Sequence, residues 1–362
     1  MPVPSNIFLT PFSVAFGAVA RTRLMLYRTG ALRTQTIDAP VISVGNITTG
    51  GTGKTPLVAW LARRAAQAGE RVCILTRGYG RANPSQQVLV SDGTGPLAGA
   101  REAGDEPRLL AEMLKGVSAV ISNADRVAAA RWALENLGSS TFILDDGFQH
   151  LAIARDLNLV VIDATAPWGG GRLLPRGRLR EPLDGLRRAD AIILTRSNLV
   201  SDLCSVRVEA ERLSKGRPVL VSQTRTVRVR QLAYDSSDQE TALNDAGGKA
   251  FTESLPQPVA AFCALGNPQT FFAHLRGDGH TLAHTQSFRD HHVYTQGDVD
   301  GLTLEAREHG AHALLTTAKD AVKLRGLGFE LPCYVIEIEV SFDDEQKILE
   351  LLDKALHKTL PK

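Results

Sequence analysis

An apolar run beginning at Val41 gives way to Gly45-Asn-Ile-Thr-Thr-Gly-Gly-Thr-Gly-Lys-Thr, and a helical pattern begins at about Lys54. A strand, a glycine-rich turn and a helix in that order offer phosphate oxygens a set of backbone N–H groups at a helix N-terminus. Lys54 can then reach the β and γ phosphates of a nucleotide, and the Thr55 hydroxyl can ligate Mg²⁺. The nucleotide-binding set is Thr48, Thr49, Gly50, Gly51, Thr52, Gly53, Lys54 and Thr55. Thr48 stands where the strict pattern asks for glycine, while the three glycines that follow keep the turn pliable. Such a loop needs an acidic metal partner at the end of a neighbouring strand, and Thr141-Phe-Ile-Leu-Asp-Asp supplies Asp145 and Asp146. Together with Thr55 they make a metal set, and the implied cofactors are ATP and Mg²⁺.

Phosphoryl transfer to an alcohol also requires a group that orients or deprotonates the nucleophile. Gly104-Asp-Glu-Pro offers Asp105 and Glu106, although an aspartate there also suits a helix N-cap. Phe288-Arg-Asp-His-His-Val-Tyr gathers Asp290, His291, His292 and Tyr294, which would equally suit a solvated loop. Two arginine-rich stretches, Thr76-Arg-Gly-Tyr-Gly-Arg and Gly169-Gly-Gly-Arg-Leu-Leu-Pro-Arg-Gly-Arg-Leu-Arg-Glu-Pro, are suited to clamping a phosphate already carried by the acceptor.

With 362 residues, 43% apolar and 22% charged, the chain has enough material for two cored domains. A formal net charge of +2, with basic residues spread along the chain, argues against nucleic acid as a partner. The four cysteines form no metal-ligand spacing with the nine histidines and read as reduced core residues. Residues 7–20 are apolar and are followed by Arg21, Arg23, Arg28 and Arg33. About 14 residues fall short of the roughly 20 that span a bilayer, so an interfacial helix is expected, with Phe8, Phe12, Phe16 and Leu24 as anchors.

These residues must be held by elements that the pattern also outlines. Strands are expected at 41–47, 72–76, 88–91, 119–122, 142–144, 159–162, 191–194 and 219–222, with helices at 56–68, 106–114, 126–137 and 203–213. That alternation describes an α/β fold, a P-loop NTPase-like parallel sheet. After a polar, glycine-containing stretch a second α/β series follows, with strands at 259–265, 281–285, 313–316 and 334–338 and a last helix at 345–358. The expected organisation is an amphipathic membrane-interface segment at 1–35, a P-loop core at 36–224, a linker or β-hairpin at 225–256 and a smaller α/β domain at 257–362.

The ordered set of the phosphate loop with Pro56, Thr76-Arg-Gly-Tyr-Gly-Arg, Gly104-Asp-Glu-Pro, Asp145-Asp-Gly-Phe-Gln-His, Leu179-Arg-Glu-Pro, Phe288-Arg-Asp-His-His-Val-Tyr and Thr317-Ala-Lys-Asp-Ala-Val-Lys-Leu resembles the tetraacyldisaccharide 4′-kinase family nearly end to end. The family accepts a residue other than glycine at position 48. The resemblance implies transfer of the ATP γ-phosphate to the 4′-hydroxyl of an acylated disaccharide 1-phosphate, giving lipid IVA, at the cytoplasmic leaflet of a bacterial inner membrane. It implies Asp105 as base, assisted by His291, with Lys54 at the phosphates and the nucleotide in a cleft between domains. The substrate contacts it suggests are Arg77, Tyr79, Arg81, Glu106, Arg126, His150, Arg180 and Glu181. Thr317-Ala-Lys-Asp departs from the Thr-Glu-Lys-Asp associated with the family, and no obligate protein partner is evident. A rival reading is a P-loop GTPase or metallochaperone, but neither Thr195-Arg-Ser-Asn nor Thr317-Ala-Lys-Asp supplies the Asn-Lys-x-Asp of guanine selection.

Overall fold

The computed structural model describes residues 7–232, 242–243 and 255–357. They form two compact units, residues 1–223 with 341–362 and residues 224–340. Most of the expected 225–256 linker lies outside the described residues.

The first unit opens with helix α1 (Thr10–Arg28) and then winds strands β1 (Val41–Gly45), β2 (Val72–Thr76), β3 (Val88–Ser91), β4 (Ser118–Ser122), β5 (Thr141–Asp145), β6 (Leu157–Asp163), β7 (Ala191–Thr195) and the start of β8 (Val219–Gln231) into one sheet. The strand order is β8-β7-β6-β1-β5-β2-β4-β3, and every pairing is parallel except β3 with β4. Strands β1, β2, β4, β5, β6 and β7 are buried along their whole length. Continuous burial is what a parallel sheet covered on both faces demands, and it explains why these strands read as unbroken apolar runs rather than alternating ones. The covering helices are α2 (Lys54–Gln67), α3 (Ala100–Ala103), α4 (Asp105–Met113), α5 (Arg126–Leu137) and α6 (Leu203–Ser214). Asp125 caps α5 by accepting from the Val127 and Ala128 N–H groups, and Gly138, at φ 58°, ends it.

The order of the sheet decides where chemistry can happen. β1 lies between β5 and β6, and its register sets Val44 beside Asp145. Adjacent parallel strands therefore deliver the phosphate loop and the acidic pair to the same carboxyl edge, the usual site of ligands in such sheets.

The second unit holds β9 (Ala242–Leu243), β10 (Val259–Cys263), β11 (Leu282–Ser287), β12 (Ala313–Thr317) and most of β13 (Cys333–Phe342), with α7 (Pro268–Gly277), α8 (Gln296–Glu308) and the single turn α9 (Ala318–Ala321). β11, β10, β12 and β13 pair in parallel in that order. Thr295 caps α8 in a reciprocal capping box with Asp298.

Three details differ from expectation. The last helix, α10 (Glu345–Leu356), belongs to the first unit rather than to the 257–362 domain. It is held there by Arg64–Glu345 at 2.5 Å, and just before it Phe342 packs edge-on against Trp60 at 5.0 Å. Cys204 is exposed on α6, so only Cys73, Cys263 and Cys333 are core cysteines. Residues 225–231, placed by expectation in the linker or hairpin, are the end of β8; Val229 and Arg230 there are buried, and Arg230 donates to Glu337 at 2.8 Å.

Candidate active site

The turn from β1 to α2 is built around two glycines in left-handed conformation, Gly50 at φ 104° and Gly53 at φ 83°. Inside the turn, Asn46 Nδ2 donates to Thr52 Oγ1 at 3.0 Å, and Thr195 Oγ1 donates to the Thr52 carbonyl at 2.9 Å. The outer wall is pinned by the arginine-rich stretch. Thr49 N–H donates to the Arg178 carbonyl at 2.8 Å, and Arg178 returns Nε and Nη2 to the Thr49 carbonyl at 3.1 and 2.7 Å. Thr48 is buried and bridged to Leu179. A glycine is therefore not needed at 48, where the backbone is extended against a neighbour. Thr48 and Thr52 contribute backbone to the loop, while Lys54 and Thr55 stand at the first turn of α2.

Asp146 meets that turn from β5. Its Oδ1 lies 3.4 Å from Lys54 Nζ, and Arg180 Nη1 donates to both its oxygens at 2.8 and 2.7 Å. Burial pushes the Asp146 carboxyl up, but Lys54 and Arg180 outweigh it and hold the group down at about 2. Asp145 is the opposite case. It is almost fully buried and accepts from Thr76 Oγ1 at 3.2 Å. Burial, followed by the charge of Glu106, drives its carboxyl well above the usual range. Asp145 and Asp146 follow one another at the end of β5 and Thr55 stands in the first turn of α2; all three offer oxygen donors, the chemistry that suits a hard dication.

The electrostatic effect of Glu106 on Asp145 puts the start of α4 in the same neighbourhood. Asp105 occupies the first helical position and Gly104 the cap, which removes the N-cap reading of Asp105. Gly104 has φ 98°, and a Cβ there would lie 2.9 Å from the Tyr79 carbonyl oxygen, so the 76–81 loop presses directly on the α4 N-terminus. In that loop Tyr79 is exposed and Arg77 turns into a cavity. Arg81 does not fit its expected role of substrate contact. It is buried, and its guanidinium donates to the Ser122 and Pro84 carbonyls, which makes it a brace for the loop.

That cavity, about 720 Å³, is lined by Arg77, Arg126, Asp146, Gln149, His150 and Arg180, and by Glu181, Arg188 and the α1 residues Phe16, Val19, Ala20, Arg23 and Leu24. Glu181 accepts from Gln149 Nε2 at 2.7 Å and pairs with Arg188 at 2.8 Å. Arg126 is buried with its Nε unbonded. His150 Nε2 likewise lacks a partner among the described residues, and burial, then Arg126, pushes the imidazole down to about 4. A neutral imidazole, five arginines and the apolar side chains of α1 line one cavity, a combination suited to a ligand that carries both anionic groups and hydrocarbon.

A family model described as tetraacyldisaccharide-1-P 4′-kinase matches residues 5–357. The chain is 40% identical over 349 residues to the tetraacyldisaccharide 4′-kinase of Geobacter metallireducens, covering 96% of this chain and 97% of that one. The chain belongs to the tetraacyldisaccharide 4′-kinase family. The homologue from Desulfotalea psychrophila is 37% identical, with 94% of each chain covered. The crystal structure of the Aquifex aeolicus family member in complex with ATP superposes with a TM-score of 0.74 at 32% identity, covering 96% of this chain and 98% of that one. The family is an ATP-binding, phosphotransferring one with a P-loop NTPase-like fold, and the GTPase-type switch gives way to it.

Other features of this 4′-kinase family member were not singled out in the sequence. Gln149 and Arg188 line the cavity, and Thr195 holds the loop together with Arg178 of the arginine-rich stretch. Gln149 was within reach, since it sits in Asp145-Asp-Gly-Phe-Gln-His. Arg188 and Thr195 carry no local signal, because only the tertiary path of 181–195 brings them in.

His291 belongs to the second unit, in left-handed conformation at φ 61°, with Nε2 3.9 Å from Asp290. Asp290 also receives Lys319 Nζ at 3.5 Å. Its neighbour His292 is otherwise engaged, stacked on Phe288 at 4.7 Å and 3.2 Å from Asp298. Of the two histidines, His292 serves the architecture of the loop.

Proposed function

We propose that this chain transfers the γ-phosphate of ATP to the 4′-hydroxyl of a tetraacyldisaccharide 1-phosphate, giving lipid IVA, at the cytoplasmic face of the inner membrane. The observation that carries the reading is the cavity, because its lining includes both Asp146, which lies 3.4 Å from Lys54, and the apolar side chains of α1. Lys54 and the backbone of 48–55 hold the nucleotide phosphates. Thr55, Asp145 and Asp146 would hold Mg²⁺, which when bound supplies positive charge where the transferred phosphoryl develops its own.

Asp105 takes the proton of the 4′-hydroxyl as that oxygen attacks the γ-phosphorus, and ADP leaves. His291 assists from its loop. Arg77, Arg126 and Arg180 meet the anionic groups of the disaccharide, with Tyr79, Glu106, His150 and Glu181 as further polar contacts. Helix α1 delivers the lipid. Phe8 just before it and Phe12, Val14 and Val19 on it are all exposed, whereas its small residues Ser13 and Gly17 are the ones packed inward, on Leu173. No described helix is long and apolar enough to cross a membrane, so an interfacial placement with Arg21, Arg23 and Arg28 near anionic headgroups fits the exposed apolar face.

Incubation of purified protein with Mg²⁺, ATP and tetraacyldisaccharide 1-phosphate should yield a 4′-phosphorylated product, and its absence would end the proposal. Asp105→Ala should lower kcat by about 10²- to 10⁴-fold. A change in KM alone would remove Asp105 as the base.

A further inference from the structure

The second unit carries another group of metal-binding side chains. His284 lies within β11, the edge strand of that unit's sheet. Glu305 and His309 stand one turn apart where α8 ends. One ligand atom from each of the three lies within 4.8 Å of the others. The rings of His284 and His309 are 4.7 Å apart, tilted by 37°.

His309 Nδ1 sits 2.8 Å from the Glu305 carbonyl oxygen. A carbonyl oxygen can only accept, so Nδ1 carries the proton and Nε2 keeps its lone pair. A histidine whose second nitrogen donates to a backbone carbonyl has the tautomer and ring orientation of a metal ligand already set. Glu305 supplies the carboxylate on the same helix face, one turn back, and both it and His309 are exposed enough to leave coordination positions for water. Two imidazoles and one carboxylate favour Zn²⁺, Ni²⁺ or Cu²⁺ over the oxygen-seeking Mg²⁺ of a phosphoryl-transfer site.

We propose that His284, Glu305 and His309 form a second, borderline-metal site, with Zn²⁺ as its test ion. β11 leads into the loop of Asp290 and His291, and α8 leads out of it. An ion shared by the two would clip the edge strand to the helix and brace the frame of that loop from its far end.

The test is isothermal titration of the full chain with Zn²⁺ in buffer containing Mg²⁺, in a Cys204→Ser background that removes the exposed thiol. One saturable equivalent should bind. His284→Ala and His309→Ala should each weaken it by at least about tenfold, and Zn²⁺ should raise the apparent Tm of the parent but not of these variants. Absence of saturable binding in the parent overturns the proposal. Equal affinity in the parent and in His309→Ala also overturns it, since the ion would then sit elsewhere. Glu305 and His309 are exposed, so their variants keep the test valid if His284→Ala fails to fold.

Discussion

Lys54 and Asp146 lie 3.4 Å apart beside the cavity of the first unit, and Lys323 and Asp320 lie 3.3 Å apart inside the second. Both pairs follow the carboxyl end of a parallel strand, yet their surroundings differ. Asp320 has no exposure and Lys323 almost none. Asp320 also accepts from the Ala264 N–H at 3.1 Å and Thr317 Oγ1 at 2.7 Å, and Lys323 sits 5.5 Å from the Tyr294 ring centroid. Asp146 keeps about a third of its side chain exposed, shares its charge with Arg180, and stands in a left-handed backbone conformation at φ 53°. A carboxylate and an ammonium at contact distance thus do not announce a site. Access does, together with a backbone held in a sparsely populated region.

The sharpest way to break this contrast is to remove each acid or base and ask what is lost. Asp320→Ala leaves a buried ammonium unpaired and should cost about 3–5 kcal/mol of stability in urea unfolding. Restoring an apolar pair with Asp320→Leu and Lys323→Met should recover much of it. A loss below about 1 kcal/mol would show that the sealed pair is not structural.

Lys54→Ala should do the reverse. Turnover should fall by about 10²- to 10³-fold, the range for removing one preorganised charge-stabilising group, while the unfolding midpoint barely moves. The measurement is transfer of radiolabel from ATP alongside a urea melt of the same preparation. If stability falls as far as activity, the two pairs are alike and the contrast fails.

The sequence was informative where register does the positioning. Val44 beside Asp145 follows from β1 and β5 being neighbours, so the residues that follow those strands are legible together in the sequence. It misled where a side chain's partner is backbone from a distant segment. Arg81 shares its motif with Arg77, but only the closeness of Gly78 and Gly104 decides that one turns inward to carbonyls and the other outward to the cavity. The Thr317-Ala-Lys-Asp segment was likewise unreadable, because the partners that explain Asp320 lie more than 50 residues upstream at Ala264 or in the turn itself. In α1 the apolar stripe was visible, but not that Ser13 and Gly17 would be its packed face.

The smallest effect, and the one that probes the cavity most directly, concerns protons. His150 is held neutral, with burial and then Arg126 pushing its imidazole to about 4, below the ordinary value of 6.5. Between those values the unfolded chain binds a proton that the folded chain refuses. Stability from this group is therefore fully present above pH 6.5 and declines as pH falls toward 4, below which the slope vanishes. Nuclear magnetic resonance titration should find His150 unprotonated through pH 5, and Arg126→Ala should move its midpoint upward by removing the largest of the charges that depress it. A midpoint near 6.5 in the parent would mean that the cavity is wet and weakly charged, and the line between an open functional site and a sealed structural one would then have to be drawn without it.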